Sequence, residues 1–230
     1  MYTLYIANKN YSSWSLRPWV LMQTLGIPFE ERLAPFGAAG NPHDFRTFSP
    51  NGKVPCLHDG ATVVWDSLAI VEYLAERHTG VWPSDPTARA FARSATAEMH
   101  SGFAALRQTC SMTCGLRVRL HRIAPALRAD LERLQDLWQE GLERFGGPFL
   151  AGNAFSAADA FYAPVAFRIQ TYRLPLAPAA LAYAERLLGL PAMRNWYAAA
   201  LAEPWRDAAH DGETLAVGTV LEDLRSPPPR

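Results

Sequence analysis

Three serines crowd a short segment near the N-terminus, Tyr-Ser-Ser-Trp-Ser-Leu-Arg-Pro at residues 11–18. Before it, an apolar stretch predicts a strand over residues 2–7, and after it leucine and valine recur at helical spacing as far as Gly26. The free N–H groups and the positive end of that helix would favour an anion bound beside the serines. Ser12 or Ser13 can hydrogen-bond such an anion, and a serine in this position can equally be a simple helix N-cap.

A second candidate lies in Asn-Gly-Lys-Val-Pro-Cys-Leu at residues 51–57, where a proline stands at the start of a predicted strand. Proline has no N–H to give to the strand ladder. If the peptide between Val54 and Pro55 is cis, the turn directs the backbone N–H and C=O of Val54 outward. A peptide-like ligand could then pair with Val54 as an added strand.

The third candidate, Trp-Asp-Ser at residues 65–67, begins a predicted helix. Asp66 can bind an ammonium group, whereas Ser67 and the N–H groups of the helix start can bind a carboxylate. The pair therefore suits the head group of an α-amino acid. Ordinary helix capping explains the same two residues, so the motif by itself leaves both interpretations open.

The elements that must position these motifs change character near residue 82, which predicts two domains. Residues 1–82 predict a small α/β domain, and the two prolines within residues 83–86 predict a linker. Besides the first strand and helix, the α/β domain has predicted strands at 29–36, 54–58 and 61–65, a loop at 37–42, a helical turn at 43–48 and a helix at 67–78.

Residues 87–230 show helical periodicity and no convincing strand pattern, so we predict an all-helical second domain. We expect a long helix from 87 to about 120 and the clearest helix from Pro125 to Phe145. Ser156 and Asp159 form a capping box at the start of another helix, and further helices are expected at 181–188 and 192–201. The periodicity ends after Trp205, and the prolines at 227–229 predict a disordered end.

The composition narrows the class of protein. The net charge of the 230 residues is zero and no basic face is evident, which disfavours nucleic acid as a partner. No apolar run is long enough for a membrane span and no secretory signal is recognisable, so we expect a cytoplasmic protein. The three cysteines, Cys56, Cys110 and Cys114, have no metal-binding spacing. We interpret Cys110 and Cys114 as core residues of a helix rather than a redox pair.

Taken together and in this order, the three motifs resemble the glutathione S-transferase superfamily over about residues 1–205. The stretch Leu-Ala-Gly-Asn-Ala-Phe-Ser-Ala-Ala-Asp at 150–159 is similar to that family's lead into the central helix of its C-terminal domain. The segment Ser-Ser-Trp-Ser-Leu-Arg at 12–17 is most similar to the serine-bearing zeta class, where it is Ser-Ser-Cys-Ser-Trp-Arg. The resemblance implies a thioredoxin-like first domain, a helical second domain, detoxification chemistry and, commonly, a homodimer.

The resemblance also implies glutathione as co-substrate, no metal, and Ser12 or Ser13 as the hydroxyl that activates its thiol. A free thiol has a pKa of about 8.5 and is only a few per cent ionised at neutral pH. A hydroxyl and a helix N-terminus would favour the thiolate, which attacks an electrophilic carbon. Within this fold we expect the Val54–Pro55 peptide to be cis. The implied glutathione-binding residues are Lys53 at the glycyl carboxylate, Val54 and Pro55 at the cysteinyl backbone, and Asp66 and Ser67 at the γ-glutamyl end.

Two positions depart from the zeta pattern. Trp14 replaces the cysteine that follows the paired serines, and Thr171 stands where a count from Asp159 places the arginine that binds the substrate carboxylate in the family's isomerases. Arg168 and Arg173 lie nearby but out of register. These differences disfavour maleylacetoacetate isomerisation, while transferase or peroxidase activity is less dependent on that arginine.

A small hydrophobic or acidic electrophile would bind between the domains. The candidate lining residues are Trp14, Met99, Phe103, Arg107 and Met112. Spacing alone allows the methionines and the phenylalanine to be core residues, and Arg107 to be a solvated residue on a helix face. In a pocket, Arg107 would favour an acidic electrophile.

The alternative class is a non-catalytic binding or assembly module with the same fold. Such a module predicts a damaged thiol site, whereas the serines, Val54-Pro55 and Asp66-Ser67 are all present. A redox enzyme would need a cysteine where Ser12, Ser13 and Trp14 stand. A glutathione-dependent transferase is therefore the favoured function, with isomerase and peroxidase as its enzymatic variants.

Overall fold

The computed structural model describes residues 1–36 and 45–227. The predicted loop at 37–42 falls wholly on residues outside that description, as do residues 43 and 44 of the predicted turn at 43–48 and two of the three prolines predicted to be disordered. The described part of the turn is a 3-10 helix at Phe45–Thr47.

The N-terminal domain has the predicted order of strands and helices. Its strands form one four-stranded sheet in the order β2-β1-β3-β4, in which β1 is parallel to β2 and antiparallel to β3. This mixed sheet with helices against it is the expected thioredoxin-like fold. The elements are β1 (Tyr2–Ile6), α1 (Ser13–Thr24), β2 (Phe29–Leu33), β3 (Cys56–Asp59), β4 (Thr62–Val64) and α2 (Ser67–Ala75).

All four predicted strands extend beyond the observed ones, and β2 and β3 differ by two residues or more at one end. Strand β2 ends at Leu33 rather than 36. Ala34 still donates its N–H to the carbonyl of Ile6 in β1 (2.8 Å), but the N–H of Phe36 donates to the Asn8 side chain (2.7 Å) instead of to a strand carbonyl. Strand β3 begins at Cys56 rather than 54, because the Val54–Pro55 peptide is cis, as predicted, and forms the turn before the strand.

The C-terminal domain is helical, as expected, and also contains a two-stranded antiparallel sheet that the sequence analysis did not predict. Its strands, β5 and β6, lie before and after most of the domain's helices in the chain. The elements are α3 (Pro86–Ser101), α4 (Ala104–Thr109), β5 (Leu116–Leu120), α5 (Pro125–Phe145), α6 (Ala157–Tyr172), α7 (Pro178–Leu188), α8 (Pro191–Ala202), α9 (Ala208–Val217) and β6 (Gly218–Asp223).

The prediction of one helix from 87 to about 120 is therefore wrong. Helix α3 ends before Gly102, and Phe103 adopts a left-handed backbone conformation with φ of 52° that no α-helix continues through. In β5, Leu116 and Val118 are buried and Arg117 and Arg119 point outward, the period of two that a strand requires. The expected loss of structure after Trp205 is wrong for α9 and β6 as well.

Cys110 caps the end of α4 and Cys114 precedes β5, so the two cysteines do not share a helix. Both are fully buried, which confirms their interpretation as core residues. Burial raises the pKa of the Cys110 thiol to about 12, which keeps it unreactive at neutral pH.

Helix α6 forms the centre of the molecule and is buried on nearly all sides. The predicted capping box is present: the carboxylate of Asp159 accepts from the backbone N–H of Ser156 (2.9 Å). Helix α1 of the first domain packs directly against α6. The proposed boundary near residue 82 lies between α2 and α3 and stays a prediction. Within the described residues, no helix is long and apolar enough to cross a membrane.

Candidate functional site

The serine loop, residues 8–13, connects β1 to α1, includes the first residue of that helix, and presents two hydroxyls that differ in their bonding. Ser12 donates its hydroxyl to Ser15 Oγ in the first turn of α1 (2.7 Å), which also accepts from the N–H of Ala7 (3.2 Å). Ser13 is the first residue of α1, and its hydroxyl has no hydrogen-bond partner among the residues the structure describes. Only Ser13 therefore offers a free hydroxyl at the positive end of the helix.

The helical domain holds the serine loop in place. The Glu203 carboxylate at the end of α8 accepts from the backbone N–H groups of Lys9 (2.6 Å) and Asn10 (3.2 Å). Trp196 Nε1 donates to the carbonyl of Lys9 (2.8 Å), and the N–H of Gly115 donates to the Asn10 side chain (2.9 Å). Burial raises the pKa of Glu203 to about 7. The loop is thus a shared element of both domains.

A cavity of about 430 Å³ lies between the domains and is called the larger cavity below. Seven predicted site residues line it: Ser12, Ser13, Trp14, Lys53, Val54, Arg107 and Met112. Sequence reasoning did not include its other lining residues, Tyr11, Phe36, Phe45, Gly52, Ser111, Arg168, His210 and Glu213.

Met99 and Phe103 do not line this cavity, so their assignment to an electrophile pocket is wrong. Met99 is 1% exposed on the inner face of α3, and Phe103 packs edge-on against Tyr162 (ring centroids 6.5 Å apart). Both belong to the hydrophobic core of the helical domain. Met99 and Phe103 are therefore core residues, which is the alternative that their spacing left open.

Half of the cavity residues that the sequence analysis missed belong to the N-terminal domain, and the others come from the helical domain, including α6 and α9. His210 and Glu213 are three residues apart on α9, so they share one helix face, a signal that recognition of α9 would have supplied. Ser111 donates to Glu213 (2.6 Å) and brings α9 against the loop after α4. On α6, Thr171 is buried and donates its hydroxyl to the carbonyl of Thr113 (2.7 Å), whereas Arg168 lines the larger cavity.

A second cavity of about 270 Å³, the smaller cavity, adjoins the first across Trp14. It brings together all five residues predicted to bind glutathione, and its lining is Trp14, Asn51, Lys53, Val54, Pro55, Asp66, Ser67 and His100. Asp66 caps α2 by accepting from the N–H of Leu68 (2.9 Å), and its second oxygen contacts His100 Nε2 (3.1 Å).

The hydroxyl of Ser67 is buried on the wall of the smaller cavity and has no partner within residues 1–36 and 45–227. Buried hydroxyls are normally hydrogen-bonded, and an exception requires an explanation. A ligand in the smaller cavity supplies one, because Ser67 is also the first residue of α2, where free N–H groups favour a carboxylate.

Basic side chains dominate the charge around the larger cavity. Arg168 is 4% exposed and donates through Nε to the carbonyl of Cys110 (2.7 Å), while Arg107 donates to the carbonyl of His100 (3.1 Å). Neither arginine forms an ion pair with a described residue. Burial lowers the pKa of Arg168 to about 10, which still leaves it charged at neutral pH. The described residues contain no cluster of three or more histidine, cysteine or acidic side chains able to hold a metal ion.

The fold combines a thioredoxin-like domain with a helical domain, and two adjoining cavities lie beside the N-terminus of α1. The family model for the glutathione S-transferase N-terminal domain matches residues 11–77, and the model for the C-terminal domain matches residues 117–199. The chain belongs to the glutathione S-transferase superfamily.

Individual relatives are distant. Maleylacetoacetate isomerase of Rattus norvegicus is 25% identical over 181 residues, covering 76% of this chain and 81% of the relative. Glutathione S-transferase GstB of Escherichia coli K12 is 34% identical over 88 residues, covering 36% and 42%. The solved theta class glutathione S-transferase of Xanthomonas axonopodis pv. citri, with glutathione bound, shares the fold with a TM-score of 0.61. It is 23% identical and aligns over 85% of this chain and 96% of its own.

Proposed function

We propose that this protein is a glutathione-dependent transferase in which the hydroxyl of Ser13 stabilises the glutathione thiolate for attack on a small electrophile. The observation that carries the proposal is the free hydroxyl of Ser13 at the start of α1, on the wall of the larger cavity and next to Trp14, which lines both cavities. A hydrogen bond from this hydroxyl favours the ionised thiol, and the helix dipole acts in the same direction. The bonding of Ser12 to Ser15 supports Ser13 over Ser12.

Glutathione fits the smaller cavity in one orientation. Its γ-glutamyl end carries an ammonium and a carboxylate, which match Asp66 and the unpartnered Ser67. The backbone of Val54, which lines both cavities, would pair with the cysteinyl residue, and Lys53 with the glycyl carboxylate. The cysteinyl sulfur then points past Trp14 toward Ser13. The Xanthomonas relative of the same fold was solved with glutathione bound, which supports this occupant.

Replacing Ser67 with alanine tests the occupant of the smaller cavity. We expect the Kd for glutathione to rise about tenfold, since a hydrogen bond to a charged group contributes about 1.5 kcal/mol or more. Titration calorimetry gives the Kd of the native protein and of the variant. Ser94→Ala is the matched control, because Ser94 is exposed on α3 and bonds only within its own helix. Equal Kd values would remove Ser67 from the site, and a native protein that binds no glutathione would contradict the proposed function.

The electrophile occupies the larger cavity and carries an acidic group. Arg107 and Arg168 line this cavity from the helical domain, and neither is paired with a carboxylate of the described residues. The nearest acid on the wall, Glu213, is exposed and already accepts from Ser111. An anionic substituent on the electrophile would satisfy the arginines, with aromatic walls at Trp14 and Phe36 for its apolar part.

Two electrophiles of similar size, one uncharged and one bearing a carboxylate, test this assignment. For Arg168→Met we expect the KM of the carboxylate-bearing electrophile to rise about tenfold, because a charged hydrogen bond is lost, with little change for the uncharged one. Arg194→Met removes the same charge from an exposed position on α8 and serves as the control. Equal changes for both electrophiles would show that Arg168 does not contact the acidic group.

A further inference from the structure

Arg17 carries an uncompensated charge inside the protein. It lies in the middle of α1, is 1% exposed, and has Nε and Nη1 buried without a hydrogen-bond partner in the described part of the chain. No carboxylate of the described residues lies within ion-pair distance of it. Buried arginines are normally paired, because an unpaired buried charge is strongly destabilising.

Aromatic rings surround the guanidinium of Arg17. It lies 4.0 Å from the centroid of the Trp14 ring and 4.8 Å from that of Phe161 on α6. Such cation–π contacts offset only part of the lost hydration. Arg107 also approaches Trp14, at 5.4 Å from its ring centroid, so the indole that lines both cavities contacts two cations.

The charged and titratable groups that act on Arg17 do not neutralise it. The nearest acid, Asp66, already contacts His100 and caps α2. Burial, together with the charges of Arg168 and Arg107, holds the pKa of Arg17 well below its ordinary value, and burial also lowers the pKa of His100. The groups concerned are Asp66 on the N-terminal domain, His100 and Arg107 at the ends of α3 and α4, and Tyr162 and Arg168 on α6.

Arg17 is four residues after Ser13 on α1, so the two side chains share one face of the helix. An anion held at Ser13 would lie one turn above the unpaired charge. We infer that Arg17 is a positioning residue that fixes Trp14 between the two cavities and whose buried charge is compensated by the glutathione thiolate at Ser13. This inference rests on the proposed function and adds a second source of thiolate stabilisation to it.

The substitution Arg17→Met should affect stability and thiol ionisation differently. Methionine is apolar and of similar length, so the free energy of unfolding should stay unchanged or increase when the unpaired charge is removed. The pKa of the bound glutathione thiol should nevertheless rise by about one unit, which is a tenfold loss of thiolate at a pH below that pKa. Urea unfolding measures the first quantity, and ultraviolet absorbance of the bound thiolate against pH measures the second.

Two further variants make the experiment decisive. Arg17→Lys keeps the charge and should keep most of the lowered thiol pKa, whereas Arg17→Gln is a second neutral variant to use should Arg17→Met fail to fold. Arg194→Met, exposed on α8, should change neither quantity. Neutral variants with an unchanged thiol pKa would overturn the inference, leaving Arg17 as a structural residue. A native protein that shows no lowered thiol pKa would instead contradict the proposed function itself.

Discussion

Replacing Asp159 with alanine should lower the free energy of unfolding by about 3–5 kcal/mol, enough to unfold a marginally stable domain. Asp159 is fully buried at the start of α6 and lines neither cavity. One carboxylate oxygen accepts from the N–H of Leu150 (3.0 Å) and the hydroxyl of Tyr183 (2.7 Å). The other accepts from the N–H of Ser156 (2.9 Å). Alanine leaves these buried donors unpaired, and each costs about 1–3 kcal/mol.

Asp85→Ala is the matched control for this measurement. Asp85 also caps a helix, accepting from the N–H of Ala88 (2.7 Å), but it is exposed, so water can replace the lost bond. We expect that variant to lose about 1 kcal/mol. Urea denaturation of both variants gives the comparison. A similar, small loss in the two would show that Asp159 is an ordinary cap and that its buried network contributes nothing further.

The capping box is an example of the structural features that can be predicted from this sequence, namely those formed by residues close together in the chain. Ser156 and Asp159 are three residues apart, and their bond forms within one turn of α6, so the pattern is visible without knowledge of the rest of the fold. The same holds for α5, which begins at Pro125 and ends before Gly146, whose φ of 62° suits glycine. The cis peptide at Val54–Pro55, by contrast, was expected from the family resemblance, because the residues alone left both isomers open.

Pairings between residues far apart in the chain could not be predicted from the sequence. Strand β5 pairs with β6 about a hundred residues later, and neither is long enough to be distinguished from a helix by its own periodicity. The same distinction applies to the residues of the candidate site. Asp66, Ser67 and Val54 were identified because each motif is short, whereas Arg168 reaches the larger cavity only through the packing of α6 against α1. Helical spacing placed Met99 on an inner face without indicating that this face was core rather than cavity.

The second large effect that we expect is a loss of activity when Ser13 of the serine loop is replaced. For Ser13→Ala we expect a fall in kcat of about 10- to 100-fold, because the hydrogen bond to the thiolate contributes about 1.5–3 kcal/mol. The pKa of the bound thiol should rise, while the Kd for glutathione should change little, since the hydroxyl interacts mainly with the ionised thiol. Steady-state kinetics give kcat, the ultraviolet titration of bound thiolate gives the thiol pKa, and titration calorimetry gives the Kd.

Ser12→Ala is the control that the chain itself provides. Its hydroxyl bonds to Ser15 Oγ, which also accepts from the N–H of Ala7, so its loss should lower stability modestly and leave the thiol titration in place. The opposite pattern, with Ser12→Ala shifting the titration and Ser13→Ala not, would mean that the Ser12 hydroxyl rotates from Ser15 to the thiol when glutathione binds. If neither variant shifts it, the thiolate is stabilised by the N–H groups of α1 and the charge of Arg17, and both serines act only at the helix start.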